Sequence, residues 1–80
     1  MTNLELNKNK KLVKEAIRTG KIAMKNGDLI MERRFNALYR VIDKYLLSKE
    51  EENELEALYN SLWDDSYDED FIALAIINCL

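Results

Sequence analysis

Apolar residues recur every three or four positions along almost the whole of this chain, and no proline and only two glycines interrupt them. That recurrence is the period of one helix face, and no alternating stretch of useful strand length competes with it. A loop-rich or many-turned β fold would lack its usual turn residues. The expected fold is all-α: a single small domain, residues 1–80, forming an antiparallel bundle of about four helices with a buried C-terminal helix. A chain of 80 residues buries only about 60% of its unfolded surface on folding, so a partner or a second copy can matter to its stability.

Local signals place the helices. Thr2 and Glu5 in "TNLE" form a capping box that opens a first helix over residues 3–26, with an apolar stripe of Leu12, Val13, Ala16, Ile17, Ala23 and Met24. Gly20 lies at the centre of that stripe, where it either admits a neighbouring helix very closely or marks a kink. In "NGD", Gly27 suits the left-handed position that ends a helix, and Asp28 suits the cap of the next one.

The second helix is expected over residues 29–46, with Met31, Phe35, Leu38, Tyr39, Ile42, Tyr45 and Leu46 on one continuous face. Ser48 and Glu51 form another capping box ahead of a third helix, whose inner face is Leu55, Leu58, Tyr59, Leu62 and Trp63. Ser66 and Glu69 repeat the signature before a fourth helix that runs from Tyr67 to the last residues. Phe71, Ile72, Leu74, Ile76, Ile77 and Leu80 go all the way round that helix, which calls for burial on every side. Ile22, Ile30 and Val41 lie off their stripes and add to the surplus of apolar surface.

Charge is unevenly spread. Residues 1–47 hold eleven Lys/Arg against five Asp/Glu, a net of +6, whereas residues 48–80 hold one Lys against ten Asp/Glu, a net of −9. Lys10, Lys14, Arg18, Lys21 and Lys25 line the first helix opposite its apolar stripe, with Lys11 beside them, and Arg33, Arg40 and Lys44 do the same on the second. Like charges at i,i+4 spacing oppose helix formation; this basic face is solvated, lies beside the acidic third helix, or meets phosphate or a counter-charged protein.

Several function classes find little support. The chain has no histidine, the commonest general base and metal ligand. Its one cysteine, Cys79, reads as a small core residue in a reducing, cytoplasmic setting and excludes an internal disulfide. No secretory signal, spanning segment or prenylation box is read from the residues. Asp64, Ser66, Asp68 and Asp70 fall at positions one, three, five and seven of a calcium loop, but Glu69 stands where that loop needs glycine and Ala75 where it needs glutamate. The carboxylates instead suit a helix start, and neither a metal nor another cofactor is expected.

DNA reading by a helix-turn-helix is disfavoured, because the third helix would carry Glu50, Glu51, Glu52, Glu54 and Glu56 into the groove, where phosphates repel them. The basic faces carry no aromatic residue on which a base would stack. The function expected is therefore a non-enzymatic protein-binding module, an inhibitor, immunity-like partner or regulatory adaptor, with a protein partner or a homodimer. Its expected interface is Trp63, Tyr67, Asp68, Phe71, Ile72, Ile76 and Leu80. The alternative is phosphate contact with nucleic acid through the basic faces.

Overall fold

The computed structural model describes residues 3–63 and 69–79. These form α1 (Asn3–Asn26), α2 (Leu29–Val41), a 3₁₀ turn (Lys44–Leu46), α3 (Lys49–Ser61) and α4 (Glu69–Cys79), with no strand among the described residues. The chain is an all-α antiparallel bundle in which α2 packs against α1 and α4, and α3 against α1. At 1.5 Å per residue the 24 residues of α1 span roughly 36 Å and make it the spine of the domain.

The turns obey their local chemistry. Gly27 takes φ +62°, where a side chain would be strained, and its N–H closes the end of α1 on the Ala23 carbonyl at 2.8 Å. Asp28 Oδ1 then accepts from the Ile30 and Met31 N–H groups and caps α2. The Ser48 capping box is complete. Ser48 Oγ accepts from the Glu51 N–H at 3.2 Å, and Glu51 Oε1 accepts from the Ser48 N–H at 3.1 Å. Thr2 and Ser66, the other two expected caps, lie outside the described residues.

The second helix is shorter than expected. It ends at Val41, and Ile42 is already extended. The cause is a side chain 34 positions away: buried Asn9 donates to the Asp43 carbonyl at 3.1 Å and accepts the Asp43 N–H at 2.7 Å. The Asp43 backbone is thereby occupied outside the helix, and its own carboxylate caps the 3₁₀ turn at Tyr45. The break turns the chain in a new direction, so Tyr45, expected inward, stands 98% exposed. Replacing Asn9 with alanine leaves this backbone without its partners and should cost about 1–2 kcal/mol. Urea unfolding with an unchanged slope and a lowered midpoint would show it.

The core is built from Leu12, Val13, Ala16 and Ala23 of α1, Phe35 and Leu38 of α2, Leu55 and Leu58 of α3, and Ala75 and Cys79 of α4. Gly20 serves close approach and not a kink. A methyl group placed on it would lie 2.9 Å from Phe35 Cδ2 and 3.0 Å from Leu58 Cδ1, so the helices meet over bare backbone. Tyr39 and Tyr59 stack at 4.2 Å between ring centroids at the edge of this core. Buried Asn36 donates to the Leu62 carbonyl at 2.7 Å and pins the end of α3 to α2. Three further residues depart from their expected places. Met24, near the end of α1, is exposed; Trp63, just past the pinned Leu62, is 59% exposed; Val41 packs against the core.

Candidate interaction surface

The apolar residues of the fourth helix call for cover all round, and the domain supplies part of it. Ala75 and Cys79 are buried, and Phe71 and Ile72 pack half-buried against the core. Ile76 is also half-buried. Leu74 and Ile77, which lie outside the expected interface set, are 55% and 66% exposed. They sit three residues apart, with exposed Ala73 beside Leu74, and so form one outward stripe. Their exposure depends on which flank of α4 faces α2, and all-round hydrophobicity does not encode that choice. Tyr67, Asp68 and Leu80 of the expected interface lie outside the described residues, as do Asp64 and Asp65 of the acidic run.

The expected basic face is divided by the fold. Arg18 holds Glu15 through both guanidinium and carboxylate atoms, and Arg34 reaches the same Glu15 oxygen at 3.0 Å from α2. Lys21 pairs with Glu54 of α3 at 3.0 Å, so the basic and acidic halves meet within one chain. Lys44 is not on an outward basic face. It is half-buried, donates to the Tyr39 carbonyl, and lies 4.0 Å from the centre of the Tyr39 ring. Burial pulls its ammonium below the usual lysine range, with Asp43 opposing. Arg33 and Arg40 are exposed on α2 and hold contacts of their own. Lys10, Lys14 and Lys25 are exposed on α1 and make no ion pair with a described residue.

Glu15 does not stand out in the sequence, because one glutamate among lysines gives no sign of the α2 arginine that will face it. Arg18 first, and Arg34 with it, hold its carboxyl below the ordinary glutamate value against the burial that raises it. A carboxyl lowered in the fold contributes stability above its unfolded pKa and loses it as pH falls through the folded value. Glu15→Gln should therefore lower the melting temperature at neutral pH. The gap to the unsubstituted protein should close on acidification.

Around Cys79 the charges of Glu15, Arg34, Arg18 and Lys11 all act, but burial dominates and pushes the thiol up. That is the setting of an inert core cysteine. Among the described residues no group of three or more His, Cys, Asp or Glu side chains is placed to hold a metal ion. Nor is any described helix long and apolar enough to cross a membrane. The hollow beside the Asn9–Asp43 contact is open, about 270 Å³, and bordered by Glu5, Lys8, Leu12, Val41 and Leu46. Its charged groups are Glu5, Lys8 and Asp43. Compared with known protein families, with curated proteins and with solved structures, the chain finds no match.

Proposed function

We propose that this chain is a non-enzymatic module that acts by binding protein through the outward stripe of α4. The observation that carries this reading is the pair Leu74 and Ile77, both more than half exposed on a helix that is uncharged from Phe71 onward. Apolar surface left together on a small domain, along the outward flank of a helix whose other flank is packed, is the kind of patch that marks interaction sites. The carboxylates of its first turn, Glu69 and Asp70, would set orientation and on-rate more than affinity.

A photo-crosslinking residue at position 77 tests the reading in the cells that make the protein. A discrete adduct from position 77, but not from exposed Lys49 at the start of α3, is expected. Absence of any adduct overturns the reading. Contact with nucleic-acid phosphates draws on Lys10, Lys14 and Lys25, exposed cations of the expected basic face that hold no described carboxylate. It draws less support, since Arg18 and Lys21 already hold Glu15 and Glu54. It requires a band shift with DNA or RNA at low salt that weakens steeply as salt rises.

A further inference from the structure

Two side chains hold the backbone open at the end of α2. In a helix continued past Val41, the next rung would join the Asp43 N–H to the Tyr39 carbonyl. Both of those groups are already engaged. The Asp43 N–H donates to Asn9 Oδ1 at 2.7 Å, and the Tyr39 carbonyl accepts from Lys44 Nζ. Asn9 is buried on α1, and its amide also donates to the Asp43 carbonyl at 3.1 Å. Neither glycine nor proline stands between Val41 and Leu46, and the apolar period of α2 runs on through Tyr45 and Leu46. The period thus favours one helix length, and a side chain from another helix imposes a shorter one.

Independently of the α4 surface, we propose that residues 42–46 are a latch. With Asn9 and Lys44 engaged, α2 ends at Val41; with them released, α2 extends to Leu46. In the extended state the Asp43 N–H bonds Tyr39, and the Tyr45 N–H leaves the Asp43 carboxylate for the Val41 carbonyl. The Tyr45 ring, 98% exposed while the latch is closed, turns toward the face that carries Leu38 and Ile42. Leu47 and Ser48 then link α2 to α3, which is enough for an αα-hairpin.

The latch also controls the hollow beside Asn9. That space of about 270 Å³ is bordered by Val41, Asp43 and Leu46. In the extended helix Leu46 stands about 7.5 Å beyond Val41 along the axis, so the hollow as described belongs to the latched state. A molecule that fills it binds one state in preference to the other, and so keeps the latch closed. Whatever draws away Asn9 or the Lys44 ammonium opens it.

Chemical-exchange saturation transfer NMR on the backbone of the unsubstituted protein tests the proposal. A minor state on the order of 1% is expected, with helical Cα chemical shifts at Asp43, Lys44 and Tyr45. Asn9→Ala should raise its population about tenfold, through the loss of two hydrogen bonds. Lys44→Met keeps the aliphatic stem but frees the Tyr39 carbonyl, and should raise it about threefold. Asp43→Pro acts in the opposite direction. Asp43 has φ −82° and ψ 106°, and Ile42 before it is extended, so proline fits the latched backbone and interrupts the longer helix. Added to Asn9→Ala or to Lys44→Met, it should abolish the minor helical state.

No minor state at residues 43–45 in either the unsubstituted protein or Lys44→Met overturns the proposal. So does a minor state with random-coil shifts, or a helical one that survives Asp43→Pro. Lys44→Met leaves Asn9 in place, so the test stands even where Asn9→Ala unfolds the domain.

Discussion

Replacement of Phe35 by alanine is expected to unfold much of the population at physiological temperature. Phe35 is fully buried and lies where α1, α2 and α3 meet, with its ring against bare Gly20 backbone and in contact range of Tyr39. Removing a buried phenylalanine ring typically costs about 3–5 kcal/mol, from lost transfer energy and the cavity left behind. A domain of this size holds roughly 4–12 kcal/mol in total. The contact with Gly20 makes the upper part of that cost the expected one, because glycine has no side chain that could relax into the space. Thermal unfolding by circular dichroism reads the effect, and Phe35→Leu should recover more than half of the loss.

The second large effect is at Gly20, and its sign opposes helix propensity. In an open helix Gly→Ala gains up to about 1 kcal/mol. Here the added methyl group would come within 2.9 Å of a ring that is itself fully enclosed and within 3.0 Å of Leu58. Both neighbours are buried side chains with little room to move away. Overpacking of this kind costs about 1–3 kcal/mol, so Gly20→Ala should lower stability, and Gly20→Leu should lower it much further. At about 4–8 °C per kcal/mol for a domain this small, the alanine variant should melt visibly earlier. The two sites touch, so their effects should not add: Gly20→Ala combined with Phe35→Leu should be less damaging than the two separate losses together. A Gly20→Ala variant as stable as the parent would mean that α1 and α2 are farther apart than described.

Much of the fold is legible in the residues because its signals are local. The stop of α1 at Gly27, the cap at Asp28 and the Ser48–Glu51 box each depend on residues within four positions of one another. A hydrogen-bonding side chain next to the backbone it caps acts wherever the helix ends up. Legibility stops where a distant residue intervenes. The 3.6-residue period runs on through Tyr45 and points it into the core, but Asn9 takes the Asp43 backbone and ends the period first. Trp63 continues the α3 stripe in register, yet the hold of Asn36 on Leu62 fixes the end of that helix and leaves the ring outside.

The candidate surface divides the same way. That α4 is apolar on every side, and that charge separates along the chain, are properties of the residues alone. Which flank of α4 meets the core is a matter of packing: Ala75 and Cys79 are small enough to let the helix lie close to its neighbours, while bulky Leu74 and Ile77 fall on the opposite side. The basic face is likewise legible as a row of like charges, but its division is not. Arg18 and Arg34 converge on Glu15 from two helices, and Lys21 finds Glu54 on a third, because the bundle brings together residues that are up to 33 positions apart.

By itself, then, the sequence determined the number of helices, the caps at Asp28 and Ser48 and the charge each helix carries, since these are set by neighbours along the chain. Only the tertiary structure decided where α2 breaks, which aromatics are enclosed, which cations are already paired and which side of α4 faces outward. Those outcomes depend on contacts between residues far apart in the chain, and helical period and composition carry no record of them.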